Sequence, residues 1–222
     1  AERGRDAEEK RLTEPAPAAA LSRSDVDEPS RRAPENPDAF ALIVGIEKYS
    51  DLPDAVYAER DAEAVKKHLL ALGYPPRNVI HLSGDKAGRS SLAKYLELWL
   101  PRVVSSKSRV FFYFSGHGAP DAATGEAYLV PWDGDASFLE ATGYPIRKLY
   151  EKLHALKAKE IVVAMDACFT GAGGRSVLAK GVRPLVAKVD VGTVPAGRMT
   201  VFAAASANQI TSALDEQGHG IF

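Results

Sequence analysis

The 222-residue sequence contains a single cysteine, Cys168. One thiol cannot form an internal disulfide or a cysteine-rich zinc site, and it leaves the redox compartment open. An excess of charge is also missing: 28 Lys and Arg against 29 Asp and Glu give a formal net charge of -1, so no basic footprint for nucleic acid exists. No apolar run approaches the roughly 20 residues that a bilayer span needs. No apolar signal core stands at the start, and localisation stays unknown from the sequence. There is no second histidine or paired cysteine at metal-ligand spacing, no Gly-x-Ser-x-Gly elbow, no phosphate loop and no complete dinucleotide fingerprint. Metal, serine-hydrolase and nucleotide chemistry therefore lack support. What remains, 45% hydrophobic and 26% charged residues, suffices for one globular domain with a substantial core.

Residues 1–38 contain Pro15, Pro17, Pro29, Pro34 and Pro37, no aromatic residue, and only Leu12, Leu21 and Val26 as large aliphatics. Such a stretch cannot bury enough surface to offset its ordering entropy. It reads as a flexible or extended N-terminal arm that orders only against a partner surface. The domain is expected over 39–222, its last residues Ile221 and Phe222 reading as an element cut short. Apolar, β-branched runs predict strands at 39–46, 78–82, 109–114, 161–166 and 199–204. Ala58, Ala62, Val65, Leu69 and Leu72 share a helical face that Gly73 ends. Leu92, Leu96 and Trp99 define a second helix, capped by Ser90 or Ser91 and stopped at Pro101. Ile146, Leu149, Leu153 and Leu156 define a third, and 128–131 reads as a small hairpin or edge. The glycine-rich stretch 171–197 predicts a long mobile loop with at most a short strand near 186–191. Alternating strands and helices imply a mostly parallel sheet with helices on both faces and ligands beyond its carboxyl ends.

Two strand ends carry the chemistry. The run Val110-Phe111-Phe112-Tyr113-Phe114 breaks at Ser115-Gly116-His117-Gly118, and Ile161-Val162-Val163-Ala164-Met165 breaks at Asp166-Ala167-Cys168-Phe169-Thr170-Gly171. A histidine about fifty residues before a cysteine is one known arrangement of a base and its nucleophile. Cys168 reads either as a small buried hydrophobe or as an attacking thiolate, and its place at a polar turn favours the second. His117, between glycines that permit close approach, is the candidate acid and base. The backbone amides of Gly118 and Cys168 are candidates for an oxyanion hole. His68, His81, His154 and His219 follow no comparable strand end, and no group that orients His117 is identifiable.

These two motifs, with Ala41-Leu42-Ile43-Val44-Gly45-Ile46 and Glu59-Arg60-Asp61-Ala62, resemble the caspase-like cysteine peptidases, more closely the bacterial relatives of metacaspases and paracaspases. The resemblance covers about residues 40–222 and implies a caspase-like α/β three-layer sandwich with a mostly parallel sheet. It implies that Cys168 attacks the scissile carbonyl with His117 as acid and base. It further implies that Asp61, Ser115 and Asp166 line a pocket for Arg or Lys before the cut, two carboxylates favouring a cation. For Asp61 the other reading is a charge at a helix N-terminus, and for Asp166 a turn-forming carboxylate. Arg175, Lys180, Arg183, Lys188 and Arg198 are candidate self-cleavage sites. No cofactor is implied, because Asp121, Asp133 and Asp135 do not match the family's calcium-binding aspartates by context. The expected partner is a protein or peptide substrate with a basic residue before the cut, and a monomer is expected. A non-catalytic caspase-fold scaffold or regulatory module is the other class.

Overall fold

The computed structural model describes residues 24–121, 123–167, 169, 192–204, 213–214 and 216–220. Five strands form one parallel sheet: β1 (Ala39–Gly45), β2 (Val79–Ser83), β3 (Arg109–Ser115), β7 (Glu160–Asp166) and β8 (Met199–Ala203), in the order β2-β1-β3-β7-β8. Every residue of β1 is buried, as a central strand covered on both faces requires. The chain moves outward from β1 to β2 and then returns to place β3 on the other side of β1. Loops leaving β1 and β3 therefore diverge, and this switch point is where such sheets open a crevice.

Helices cover both faces. Helix α1 (Ala58–Ala71) presents Ala62 and Leu69 to Ala41, Ile43, Tyr113 and Ala164. The opposite face, with Leu42, Val44, Phe112, Phe114, Val163 and Met165, packs on two elements. One is the composite helix α2, made of an α turn (Arg89–Ala93), a π segment (Lys94–Trp99) and a second α turn (Leu100–Val103). The short helix α3 (Leu139–Thr142) precedes the other, α4 (Ile146–His154), which contributes Ile146, Leu149 and Leu153. Each alternate residue of β1, β3 and β7 thus serves one layer.

Two local expectations are corrected. Neither Ser90 nor Ser91 caps α2: Gly88 precedes its first residue, and the Asp133 carboxylate accepts the Arg89 N–H at 2.8 Å from 44 residues away. Pro101 does not stop the helix either. The wider π turn that leads into it accommodates the pyrrolidine ring and its missing donor, and the helix continues to Val103. Of residues 128–131, Tyr128 and Leu129 belong to a small antiparallel sheet, β4 (Gly118–Pro120), β5 (Ala127–Leu129) and β6 (Tyr144–Pro145), and Val130 and Pro131 follow its middle strand. It starts one residue after His117. Two-residue strands β9 (Ala213–Leu214) and β10 (His219–Gly220) pair antiparallel. The strand expected near 186–191 lies outside the described residues.

Residues 24–38 run along α1. The Ala33 N–H donates to Ala71 O and that of Asn36 to Gly73 O, both at 2.8 Å. His68 Nε2 meets Val26 O at 2.9 Å, and Arg60 grips Asp27 at 2.6 Å. Gly73 ends α1 with φ +89, and a Cβ there would stand 2.1 Å from Pro34 O. Helix stop and arm packing therefore depend on one glycine.

Candidate active site

Strands β3 and β7 pair in register, with Ser115 opposite Asp166. The Gly116 N–H extends the ladder to Asp166 O at 3.3 Å. The two motifs thus leave the sheet side by side, His117 two residues after Ser115 and Cys168 two residues after Asp166. Cys168 itself lies outside the described residues. Its chain neighbours Ala167 and Phe169 are buried in the core.

His117 is fully buried, and its imidazole has a definite orientation. Nε2 lies 2.6 Å from the Pro53 carbonyl oxygen. A carbonyl only accepts, so Nε2 carries the proton and Nδ1 is the basic nitrogen of the neutral ring. Pro53 comes from the loop between β1 and α1, across the switch point from His117. The same loop supplies Tyr49, whose ring lies 4.7 Å from the imidazole, tilted by 36°. The Tyr49 hydroxyl accepts the His117 backbone N–H at 2.7 Å and donates to Val130 O at 3.4 Å. The loop is closed by Ala55 N–H to Glu47 O at 2.8 Å and tied outward by Ser50 N–H to Trp132 O at 3.2 Å. Glu47 sits half-buried in it; burial pushes its carboxyl above the usual range, and the nearby Glu59 and Asp54 charges add to this. Tyr57, the last residue before α1, is held at φ +67, a left-handed conformation that bulky residues rarely adopt.

The three expected pocket residues share one side of the sheet. Ser115 and Asp166 follow Tyr113 and Ala164 by two positions, and both of those belong to the α1-side cluster, so strand alternation turns Ser115 and Asp166 toward α1 as well. Both are buried. Asp61 lies on α1 beside Ala62, also buried. Its carboxylate meets His219 Nδ1 at 2.7 Å and accepts the Gly220 N–H at 3.1 Å. His219 Nε2 meets Asp27 at 3.2 Å, and the Asp27 carboxyl is held far below the ordinary carboxylate range, chiefly by its hydrogen bond from Arg60. His219, one of the four histidines that follow no comparable strand end in the sequence, is thus a buried link between α1 and residues 24–27.

Of the candidate self-cleavage sites, Arg175, Lys180, Arg183 and Lys188 lie outside the described residues. Arg198 stands just before β8. Its guanidinium binds the carbonyls at the end of α4, His154 O at 2.8 Å and Leu156 O, and its own carbonyl accepts Ile161 N–H at 2.9 Å. The three aspartates weighed against a calcium site hold backbone: Asp121 accepts the N–H groups of Ala123 and Thr124, Asp133 caps α2, and Asp135 accepts the Ser137 N–H. Among the described residues, no group of three or more His, Cys, Asp or Glu could hold a metal ion. None of their helices is long and apolar enough to cross a membrane.

The family model of the caspase domain (Peptidase_C14) matches residues 38–222. The chain belongs to the caspase-domain family. No curated protein matches it in sequence. Among solved structures it is similar to protein GSU0716 from Geobacter sulfurreducens, with a TM-score of 0.61 and 16% identity, covering 83% of this chain and 78% of that one. It is also similar to caspase-1 from Spodoptera frugiperda, with a TM-score of 0.53 and 14% identity, covering 91% of this chain and 72% of that one. These likenesses establish the caspase-like fold. The caspase domain is a fold of cysteine-type peptidases, which act on protein substrates and need no cofactor.

The site residues that the sequence does not reveal are Tyr49 and the Pro53 carbonyl. A backbone acceptor carries no side-chain signature, and Tyr49 falls between the first strand and the first helix with no motif to mark it. Adjacency of β1 and β3 is the observation that singles out this loop.

Proposed function

We propose that this caspase-domain chain is a cysteine endopeptidase that cuts after Arg or Lys, with Cys168 as nucleophile and His117 as acid and base. The observation that carries the reading is the 2.6 Å contact of His117 Nε2 with Pro53 O. It leaves Nδ1 as the proton acceptor, on a strand end beside the one that leads to the thiol. Nδ1 takes the thiol proton, and the thiolate attacks the scissile carbonyl. The Nδ1 proton then passes to the leaving amine, and water, deprotonated by the same nitrogen, releases the acyl group.

The negative oxygen of the intermediate is held by the backbone amides of Gly118 and Cys168. Supporting Gly118 is the parity of the β4–β5 ladder. Val130 N–H donates to His117 O, so His117 and Val130 form a bonded rung, and the next pair, Gly118 and Leu129, is a non-bonded one whose N–H points away from β5. Basic specificity is supported by buried Asp166 and Ser115 and by Asp61 on the same side of the sheet, where a substrate cation shares the Asp61 carboxylate with His219 and the Gly220 N–H. Two carboxylates select a cation and reject an aspartate side chain.

The test compares peptide reporters ending in Arg, Lys or Asp on wild type, Cys168→Ala and Asp166→Asn. Cys168→Ala abolishes turnover, and Asp166→Asn lowers kcat/KM for the Arg reporter by about 100-fold. Cleavage after Asp, or activity that survives loss of the thiol, refutes the reading.

A further inference from the structure

We propose that Tyr49 is a positioning residue for His117, acting through a hydroxyl wedged into the His117–Val130 rung that adjoins β4 and β5. This rests on the dyad proposed above. An unperturbed bonded rung between His117 and Val130 would contain two hydrogen bonds. One is present, Val130 N–H to His117 O at 3.0 Å. In place of the other stands a relay: His117 N–H donates to the Tyr49 hydroxyl at 2.7 Å, and that hydroxyl donates to Val130 O at 3.4 Å. The hydroxyl thereby stands between the two backbone groups on one side of the rung. His117 is held off β5 and toward the β1–α1 loop, where Pro53 O receives Nε2.

Gly116 supplies the complementary surface. A Cβ at that position would stand 2.6 Å from the Tyr49 hydroxyl oxygen. The glycine before the histidine therefore reflects a demand for space from a side chain 67 residues earlier in the sequence, 116 minus 49, and is not merely a hinge. The Tyr49 ring, 4.7 Å from the imidazole, adds a π face that favours the imidazolium formed once Nδ1 has taken the thiol proton. Phe keeps that ring and removes only the wedge. His117 N–H, buried with its residue, then either loses its acceptor or closes the rung onto Val130 O. Both outcomes draw the imidazole away from Pro53.

The experiment reads Cys168 directly, independent of substrate choice. Rates of alkylation by iodoacetamide are measured against pH for wild type, Tyr49→Phe, Gly116→Ala and His117→Ala, alongside kcat and KM on the Arg reporter. In wild type the thiolate forms well below the ordinary thiol pKa of about 8.5, and His117→Ala returns it there. Tyr49→Phe moves the midpoint up by about one pH unit and lowers kcat about tenfold with KM within about twofold. Gly116→Ala, which displaces the hydroxyl while keeping the tyrosine, gives the same shift, and it decides the matter if Tyr49→Phe unfolds. Curves and kcat of both variants that coincide with wild type overturn the positioning role and leave the dyad standing. A wild-type curve that His117→Ala does not move overturns the dyad, and the role of Tyr49 with it.

Discussion

Gly116 and His117 show how one position constrains the next. The space beside Gly116 is filled by a hydroxyl oxygen that a Cβ would approach to 2.6 Å, with Phe114 Cζ at 3.3 Å behind it. Gly116→Ala therefore overpacks a buried junction, with an expected cost of about 1–3 kcal/mol. Urea unfolding checks this: the midpoint falls while the slope stays constant, and an unchanged midpoint would show that the tyrosine yields freely. At this scale the sequence discloses those residues whose side chains break a pattern. His117 and Asp166 stand out because each follows an apolar strand. The Pro53 carbonyl does not, because every residue carries that group and only its position matters. Cys168 is legible by its type and by its place two residues after the acid that ends an apolar run.

Among the elements, the segment before β1 shows how far composition reaches. Residues 24–38 lack the apolar surface to form a layer, yet they are held on α1 by backbone hydrogen bonds at Ala33 and Asn36 and by the charged link Arg60–Asp27–His219–Asp61. That link is pH-dependent in a definite direction. The folded pKa of Asp27 lies below its ordinary value of 3.8, so its contribution is complete above that value and is lost as pH falls through and below it. Hydrogen exchange followed from about pH 5 down to about pH 2 should show the Ala33 and Asn36 amides losing protection before those of β1 and β3. Asp27→Asn should show the same loss near neutral pH. Protection that persists in this variant would mean that the backbone contacts alone hold the segment. Helix α2 teaches a related lesson. Serine and proline predict its ends by local rules, but a distant aspartate supplies the cap and a π segment carries the chain past Pro101.

For the whole molecule, the strand order matters most. β3 lies between β1 and β7, so Phe112 is enclosed between Leu42 and Val163 in the register and is fully buried. Phe112→Ala should cost about 3–5 kcal/mol, a large share of the roughly 5–15 kcal/mol that holds a typical domain folded. Chemical denaturation would measure it; a loss below about 1 kcal/mol would contradict the tight core placement. The sequence by itself determined which runs become strands, which faces of the helices are apolar, and that a histidine and a cysteine each follow a strand end. Those properties are encoded in the spacing of neighbouring side chains. Only the tertiary structure decided that β1 lies against β3. That choice brings Pro53 O and the Tyr49 hydroxyl to His117 across separations of 64 and 68 residues. Strand order is settled by non-local packing of both sheet faces at once, and no local pattern in the chain records it.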